Sequence, residues 1–411
     1  MAKPEPIFDI AIIGGGIAGT AIARDASLRG ARVILFEKSA FGSGTSGKSS
    51  KLIHGGIRYL ELSWNALKRG QAAEGWKNFC FVISALRESA LLERTAPDLI
   101  RPIELVIPIH RNEGQNVWAV YLGAAFYGFL ALLTGNRKGP RILAGQKAVL
   151  KLVPNLNPKG LAGGVVIWDH ITDDKRLVEE IMHSAVQVGA QALEQTLVSN
   201  YRYDAENQFY EISAERNGTP QTYHARKLIN ASGPWVDKIR AKTGEKTDDF
   251  LVPVAGSHIT VKRFTDYSVI LRAQDKRIFF VINLGPHSRI GTTERIHKDP
   301  DTVQPLDEEV EYLLCALERY FPNVKLGPED IVSKDSGIRP LAKPVKAQTP
   351  HDISREHEIR IGPTGVIHVL GVKLTDHRRA AKEVIDRLIP ELKRFNPAIK
   401  TKTLTHQKPL R

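Results

Sequence analysis

A glycine-rich segment near the start of the chain has the spacing that nucleotide phosphates require. Gly14, Gly16 and Gly19 form a G-x-G-x-x-G pattern between an apolar run and a helix-forming run. Glycine at these positions allows a tight turn, lets the backbone approach a pyrophosphate, and lets helix and strand pack closely. Glu37 ends the next apolar run, where a carboxylate can accept the ribose hydroxyls of an adenosine. The pattern therefore predicts a dinucleotide-binding site.

A second glycine-rich segment, residues 42–49, matches a different phosphate-binding pattern. Its sequence GSGTSGKS fits G-x-x-x-x-G-K-S, and the string VVIWD at 165–169 resembles the acidic strand that accompanies this pattern in nucleoside triphosphatases. That mechanism needs a strand directly before the loop and a helix directly after it. Here the loop begins several residues after Glu37, and the glycine pair at 55–56 interrupts any helix beyond it. We therefore favour the first glycine pattern.

The elements that must position these residues follow from the periodicity of apolar residues. A strand at 7–13, a helix at 17–29 and a strand at 31–36 predict a βαβ unit. Short β-rich runs between 252 and 293 predict an antiparallel sheet. Further helices are predicted at 65–94, 117–133, 174–189, 307–320 and 376–389, the last ending before Pro390. The expected fold class is α/β, a Rossmann-like domain with a parallel sheet, interleaved with a substrate domain built on an antiparallel sheet.

Composition and charge narrow the class of protein. The chain has 411 residues, of which 42% are hydrophobic, so global disorder is excluded and there is enough chain for two domains. Lys and Arg number 58 against 45 Asp and Glu, and the resulting net charge of +13 indicates an anionic partner. The sequence has no zinc-finger, helix-turn-helix or RNA-recognition pattern, so we expect neither a metal nor nucleic acid.

The cysteines and the N-terminus indicate the compartment. Cys80 and Cys315 are too few for a disulfide framework, which fits a reducing compartment. The opening residues contain no apolar run typical of a secretory signal. The expected location is therefore cytoplasmic.

Residues 117–133 form a run of 17 residues without a charged side chain. The run is slightly short for a bilayer span, so a spanning helix, a buried helix and a helix lying in the membrane interface are all open. We favour the interfacial helix, with its aromatic residues as anchors. The expected anchors are Trp118, Tyr121, Phe126 and Tyr127. The last segment, 391–411, has six Lys or Arg and one acid, and is predicted to be a solvated basic tail.

The segment SSKLIHGGIRYLE at 49–61 resembles the signature that follows the dinucleotide fold in FAD-dependent glycerol-3-phosphate dehydrogenases of the aerobic, quinone-linked type. Seven further matches follow in order, and together they extend the resemblance to about residue 390. They are NASGPW (230–235), GSHI (256–259), DKRIFFVI (275–282), GTTE (291–294), SGIRPL (336–341), SREHE (354–358) and GVKLT (371–375).

The resemblance implies oxidation of glycerol 3-phosphate to dihydroxyacetone phosphate. Hydride passes from C2 of the substrate to N5 of FAD, and the electrons then pass to membrane quinone. The resemblance also implies a cation at the pyrimidine end of the flavin, where it would stabilise the anionic reduced form. The cofactor-binding residues that follow are Gly14, Gly16, Gly19, Glu37 and Gly233 along the dinucleotide, and Ser50, Lys51, Leu52, His54, Gly371, Lys373 and Leu374 around the flavin ring.

The same resemblance assigns the substrate site. A phosphate dianion needs several cations, and arginine supplies two donors in a fixed geometry. The phosphate-binding positions are Arg58, Arg339 and Arg355, with Tyr59 as a further hydrogen-bond donor. Alcohol oxidation also needs a base, for which His258 is the first candidate and His54 the second. Arg339 and Lys373 complete the expected catalytic group.

The sequence departs from the family pattern in several places. Gly371-Val372 replaces a Gly-Gly pair, Asp376-His377-Arg378 replaces Thr-Tyr-Arg, and Glu294 stands where the family has aspartate. Many family members also continue into a C-terminal helical domain, whereas this chain stops in its basic tail. The departures leave oligomeric contacts and acceptor docking open, and an oligomer is possible.

Three other functions remain open. An oxygen-using glycerol-3-phosphate oxidase and an amine or amino-acid oxidase share the fold, and a flavin-binding module without turnover is the non-enzyme alternative. We expect peripheral association with the anionic inner face of the cell membrane. The expected FAD-binding domain comprises 1–65, 145–245 and 333–395, the substrate domain comprises 66–144 and 246–332, and the tail comprises 396–411.

Overall fold

The structure is a computed structural model that describes residues 6–114, 116–136, 138–246, 248–344 and 356–410, with only the backbone of Arg58 and Asn112. Its helices are α1 (Ile17–Leu28), α2 (Ile57–Lys68), α3 (Ala72–Thr95), α4 (Val117–Leu133), α5 (Gln146–Leu152), α6 (Asp174–Val186), α7 (Val236–Lys242), α8 (Asp307–Tyr320) and α9 (His377–Phe395). Its first strands are β1 (Ile7–Ile13), β2 (Val33–Phe36), β3 (Leu52–Ile53), β4 (Ile100–His110), β5 (Arg141–Ala144), β6 (Leu161–Thr172), β7 (Gln191–Leu193), β8 (Thr196–Asp204) and β9 (Phe209–Arg216). The remaining strands are β10 (Thr219–Asn230), β11 (Leu251–Lys262), β12 (Ser268–Arg272), β13 (Ile278–Asn283), β14 (His287–Gly291), β15 (Arg295–Ile296), β16 (Ile331–Ala342), β17 (Glu358–Ile361) and β18 (Ile367–Leu370).

The first sheet is the parallel sheet that the N-terminal pattern predicts. Its central order is β18-β10-β1-β2-β7, and these neighbours pair in parallel. β2 is a continuous apolar run and β1 is apolar except for Asp9, because helices cover one face of these strands and further strands cover the other. α1, α6 and α9 pack on one face through a core that includes Ile10, Leu35 and Val384. The β8-β9 hairpin extends from the long β10 and encloses a second core.

The second sheet is mainly antiparallel and follows the order β15-β11-β14-β13-β12-β4-β6-β3, with β16 paired to β11. α5 and α8 cover one face, where Val261, Phe279 and Leu313 are buried. α2, α3 and α4 cover the other face. The expected combination of a Rossmann-like parallel sheet and an antiparallel second sheet is therefore confirmed.

Two strands lie in a different sheet from the one that the expected domain boundaries give them. β6 is within 145–245 and β16 is almost wholly within 333–395, yet β6 pairs with β4 and β16 pairs with β11. Both belong to the second sheet. The reason is that both strands are long, and their partners β4 and β11 are long enough to bury most of their backbone hydrogen-bonding groups in antiparallel ladders.

Two of the predicted helices need correction. The helix predicted at 65–94 is two helices, because Gly70 takes a left-handed conformation with φ of +75° between α2 and α3. α9 does not end before Pro390 but continues to Phe395. Leu388, Ile389 and Leu392 are all buried there, so packing of the apolar face outweighs the loss of one backbone donor.

The C-terminal segment after α9 is not a solvated tail. Ile399 and Leu410 are buried in the cores of the first sheet's helices. The Leu410 amide donates to the carbonyl of Thr95, and the Arg29 guanidinium donates to the carbonyl of Thr401 at 2.8 Å. The segment therefore packs back onto the domain through backbone contacts that its composition does not reveal.

Candidate functional site

A cleft of about 770 Å³ lies at the carboxyl ends of the parallel strands. The ends of β1, β2, β10 and β18 form its floor, and β16 of the second sheet forms part of its opposite wall. Carboxyl ends of parallel strands are where nucleotides bind in open α/β sheets. Its walls include Gly14, Gly16, Glu37, Gly44, Lys48, Gly233, Trp235, Gly337 and Gly371.

The glycine-rich turn is tight enough to exclude any side chain. Gly14 has a φ of +106°, and a Cβ there would lie 2.7 Å from the carbonyl oxygen of Ala231. A Cβ on Gly19 would lie 1.9 Å from the carbonyl oxygen of Gly14. Gly16 precedes α1 directly, so the N-terminal turn of α1 lines the cleft, where a helix N-terminus favours an anion. The turn therefore provides the close backbone approach that a pyrophosphate needs.

Glu37 is fixed by the backbone around it. Its carboxylate accepts hydrogen bonds from the amides of Gly15 at 2.7 Å and Ser39 at 2.8 Å. Each carboxylate oxygen has further capacity to accept a hydrogen bond, and Glu37 lines the cleft, so the carboxylate can also accept ribose hydroxyls. The cradle of glycine backbone, helix N-terminus and oriented carboxylate fits the adenosine diphosphate half of FAD.

The segment at 42–49 does not form a phosphate-binding loop of the triphosphatase type. It contains a short 3₁₀ turn at Thr45–Gly47, with neither a strand directly before it nor an α-helix directly after it. Instead the Ser46 hydroxyl accepts from the Ile17 amide at 3.0 Å, and Thr45 donates to the carbonyl of Ile338 at 2.7 Å. The segment therefore joins the turn before α1 to β16 and walls the same cleft.

His258 lies on β11 beside the segment that ends in β3. Its side chain is buried, and Nε2 lies 2.9 Å from the Ser50 hydroxyl. Within the described part of the chain, Nδ1 has no hydrogen-bond partner. Burial, followed by the charges of nearby cations, lowers the pKa of His258 well below its usual value, so the imidazole is neutral at pH 7. The cations are Arg289, Arg339 and Lys51.

The other predicted groups near His258 differ in how they are held. Arg339 on β16 donates from Nη2 to the Thr292 hydroxyl at 3.0 Å, and its Nη1 lies 3.4 Å from Glu294. Lys51 instead places its ammonium 2.5 Å from the buried carboxylate of Asp174. The charge of Lys51 is therefore compensated inside the protein.

Lys373 is in the turn between β18 and α9. Its ammonium donates to the Tyr59 hydroxyl at 3.1 Å and lies 4.2 Å from the centre of the Phe81 ring. Thr375, two residues later, donates to the carbonyl of His54 and accepts from the His54 amide. The structure thus brings the 49–61 segment and the 371–375 segment together, although they are far apart in sequence.

The predicted residues fall into three groups. Gly14, Gly16, Glu37, Gly233 and Gly371 line the cleft, whereas Gly19, Ser50, Lys51, Leu52, His54, Lys373 and Leu374 are not among its lining residues. Leu52 and Leu374 are buried among apolar side chains. Arg355 and the side chain of Arg58 lie outside the described residues. No cluster of three or more metal-ligating side chains occurs in the described ranges.

Sequence reasoning missed two acidic residues as parts of the site. Asp301, in the loop before α8, lines the cleft and accepts from the Trp235 indole at 2.6 Å and from Lys38 at 2.7 Å. Asp376 accepts from the Lys373 amide at 2.9 Å. The sequence did mark Asp376 as unusual, because it stands where the family has threonine. No sequence pattern marks Asp301, since its partners are distant in sequence.

The apolar helix α4 is half exposed. One stripe is largely open to solvent, and it comprises Trp118, Leu122, Phe126, Phe129 and Leu133. Tyr121 and Tyr127, however, are buried and donate to the carbonyl of Leu143 and to the carboxyl of Asp169. Those two tyrosines are therefore not interfacial anchors, because their hydroxyls have partners in the core. Among the residues described, no helix has both the length and the apolarity needed to cross a membrane.

Comparison with known proteins defines the class first. Residues 9–387 match the family model described as FAD dependent oxidoreductase. A structure of glycerol-3-phosphate dehydrogenase from Bacillus halodurans, complexed with FAD, is similar with a TM-score of 0.74 and 29% identity, covering 95% of this chain and 66% of that chain. L-alpha-glycerophosphate oxidase from Mycoplasma pneumoniae, at 17% identity and a TM-score of 0.67, shares the fold, covering 93% of this chain and 95% of that chain. The protein is an FAD-dependent oxidoreductase.

Curated relatives then define the family. The aerobic glycerol-3-phosphate dehydrogenase of Staphylococcus saprophyticus is 34% identical over 395 residues, which are 94% of this chain and 68% of the relative. The chain therefore belongs to the aerobic glycerol-3-phosphate dehydrogenase family of FAD-dependent oxidoreductases. It spans about two thirds of the length of these relatives.

Proposed function

We propose that the protein oxidises glycerol 3-phosphate to dihydroxyacetone phosphate. The observation that carries this proposal is the buried, neutral imidazole of His258 close to the guanidinium of Arg339. Oxidation of a phosphorylated alcohol needs a base for the hydroxyl proton and a cation for the phosphate. The names of the relatives support the same substrate.

His258 is the proposed base, and His54 is the second candidate. His258 accepts the C2 hydroxyl proton while the C2 hydrogen leaves as hydride with the electron pair of its bond. FAD, when bound, supplies the hydride acceptor. An anionic substrate beside the same cations offsets their effect on the imidazole, so we expect the pKa of His258 to rise when glycerol 3-phosphate binds.

The substrate phosphate is proposed to bind at Lys373, which contacts Tyr59, and at Arg339, which lies near His258. Lys373 contributes an ammonium already hydrogen-bonded to the Tyr59 hydroxyl, and Arg339 contributes a guanidinium held by Thr292. A hydroxyl beside an ammonium can donate to a phosphate oxygen while the ammonium balances its charge. The family resemblance adds Arg58 and Arg355 to this set as proposals from sequence.

The test is anaerobic reduction of the bound flavin. We expect glycerol 3-phosphate to bleach the flavin absorbance and to yield one dihydroxyacetone phosphate per flavin, whereas glycerol and glycine leave it oxidised. Bleaching by glycine but not by glycerol 3-phosphate would point to an amino-acid oxidase. Bound FAD that no substrate reduces would point to a binding module without turnover.

We propose quinone as the electron acceptor, with cytoplasmic protein docked peripherally on the anionic inner face of the membrane. The stripe on α4 continues through Phe126 to Phe79, whose rings stack at 6.3 Å, and on to the exposed Trp76. The exposed cations Lys68 and Arg69 flank the nearby helices. Aromatic residues next to cations suit an anionic bilayer surface.

Vesicle binding and acceptor choice test the second proposal separately. Phe126→Asp is expected to weaken sedimentation with anionic vesicles, whereas Ile361→Asp, at an exposed apolar position on the first sheet, serves as the matched control. Reduction of a soluble quinone much faster than oxygen supports a dehydrogenase. Stoichiometric hydrogen peroxide with little quinone reduction would identify an oxidase.

A further inference from the structure

The imidazole of His357 is held between two carboxylates. Nδ1 lies 2.8 Å from Oδ2 of Asp376, and Nε2 lies 3.0 Å from Oε2 of Glu383. The His357 side chain is only 4% exposed. A carboxylate offers no proton, so both ring nitrogens must act as donors, and the geometry is that of an imidazolium. Burial lowers the pKa of His357, but hydrogen bonds to both carboxylates outweigh burial and raise it overall.

Asp376 connects this imidazolium to the turn that carries Lys373. Its Oδ1 accepts from the Lys373 amide at 2.9 Å, and its own amide donates to the Lys373 carbonyl at 3.3 Å. Burial alone would raise the pKa of Asp376, but His357 lowers it overall, so the carboxylate stays ionised. From the same turn, the Lys373 ammonium reaches the Tyr59 hydroxyl. The carboxylate that pairs with His357 is therefore hydrogen-bonded to the backbone of the turn that carries Lys373.

We propose that His357 is a positioning residue, which as an imidazolium between Asp376 and Glu383 fixes the turn that presents Lys373 to the site. The role of Lys373 in binding substrate rests on the proposed function. The ordering of the turn by His357 is independent of that function. His357 itself touches neither Lys373 nor Tyr59, so it acts through Asp376.

The charges around His357 determine how the contact depends on pH. Asp376 and Glu383 favour the imidazolium, while Arg379, 3.4 Å from Asp376, and Arg387, 2.7 Å from Glu383, compete for the same carboxylates. The adjacent Glu356 pairs with Lys77 at 3.5 Å, and Lys373 lies beyond Asp376.

The raised pKa gives the contact a definite pH window. A histidine whose pKa is raised by folding contributes fully below its unfolded pKa and loses the contribution as pH rises through its folded pKa. The contact is therefore complete below a pH of about 6.5 and is lost as the pH rises through the raised pKa of His357.

Hydrogen exchange of a peptide containing the Lys373 amide tests the inference in the FAD-loaded enzyme without substrate. In His357→Gln we expect that amide to exchange about tenfold faster at neutral pH, which corresponds to the loss of about one hydrogen bond. The matched control is Glu391→Gln. Glu391 lies on α9, as Glu383 does, but pairs with the distant Lys227. This control should exchange as the wild type does.

The pH profile provides a second measurement that a purely structural role would not move. Glu383→Gln keeps an acceptor for Nε2 but removes a charge, so the alkaline fall in protection and in kcat/KM should move to lower pH. Because Glu383 is 41% exposed, this variant tests the inference even if His357→Gln fails to fold.

The outcomes separate this inference from the proposed function. Wild-type exchange in His357→Gln, or an unmoved alkaline limb in Glu383→Gln, would overturn the positioning role. Faster exchange in a protein that does not oxidise glycerol 3-phosphate would leave the positioning role standing and refute the function proposed above.

Discussion

The two ends of the site are built in different ways. At the pyrophosphate end, Glu37 and the glycine turn lie within one βαβ unit, where the Glu37 carboxylate accepts a hydrogen bond from the Gly15 amide. At the substrate end, Ser50 and His258 are 208 residues apart, and Tyr59 and Lys373 are 314 apart. The first end depends on local conformation, whereas the second depends on how the two sheets and the C-terminal turn come together. Substitutions at the two ends should therefore fail in different ways.

The largest effect is expected at the substrate end. His258→Asn removes the proposed base, and loss of general-base catalysis typically lowers kcat by about 10² to 10⁴-fold. FAD content should remain near one per chain, because His258 is outside the dinucleotide cradle. Steady-state turnover together with flavin absorbance checks both expectations. Ser50→Ala, which removes only the hydroxyl beside the imidazole, should have a smaller effect. Full turnover in His258→Asn would contradict the assignment of His258 as the base and favour His54.

The pH dependence of the wild type follows from the same residue. The pKa of His258 is held well below its usual value of about 6.5, so free enzyme should keep its neutral base as pH falls through that value. The acid limb of kcat/KM should therefore lie well below pH 6.5 or so. The acid limb of kcat should lie higher, since bound phosphate opposes the nearby cations.

The second largest effect is expected at the pyrophosphate end. Gly19→Ala places a Cβ 1.9 Å from the Gly14 carbonyl, and forced overpacking costs about 1–3 kcal/mol. Opening the turn should weaken FAD binding by about 10- to 100-fold while kcat per bound flavin stays near normal. FAD titration of apoprotein measures the change. Gly123→Ala, also within a helix but with open space around its Cβ, should bind FAD as the wild type does.

These contrasts explain which features the sequence could predict. The βαβ unit, α4 and α8 have local signals, namely apolar runs, glycine spacing and helical periodicity, and they lie where the sequence predicts them. The sheet to which β6 belongs and the packing of the C-terminal segment depend on distant partners, so composition alone misplaces them. The inward turn of Tyr121 and Tyr127 is of the same kind, because it depends on acceptors from β5 and β6.

The two lysines of the flavin signatures provide a finer contrast. Lys373→Gln should raise KM for glycerol 3-phosphate by about tenfold. A hydrogen bond to a charged group contributes roughly 1.5–3 kcal/mol, and the remaining cations of the site offset part of its loss. The Lys373→Gln variant should keep its thermal stability nearly unchanged. Lys51→Gln should instead destabilise the fold by about 3 kcal/mol, because it leaves the buried carboxylate of Asp174 without its cation. Steady-state kinetics and thermal unfolding of both variants measure these effects. A destabilised Lys373→Gln together with a stable Lys51→Gln of raised KM would contradict the contrast.

The smallest expected effect is at Asp301, a residue that lines the cleft from the second sheet's side. Asp301 accepts from Trp235, Lys38 and Lys238 of the first domain. Burial would raise the pKa of Asp301, but these donors outweigh burial and lower it, so the carboxylate is ionised throughout the neutral range. The carboxylate is half exposed, so salt screens these contacts and each contributes little. These contacts therefore form a weak, salt-sensitive link between the loop that carries Asp301 and the first domain.

Asp301→Asn should accelerate FAD release by about two- to fivefold, measured as the return of flavin fluorescence after dilution. Raising the ionic strength should accelerate release from the wild type but have less effect on the variant, since the screened charge is already gone. Asp299→Asn removes the ion pair with Lys238 but keeps an oxygen acceptor for the Asp301 amide, so it is the matched control and should change release less. Equal salt dependence in wild type and Asp301→Asn would show that the backbone cradle around Gly14 and Glu37 retains FAD without help from the second sheet.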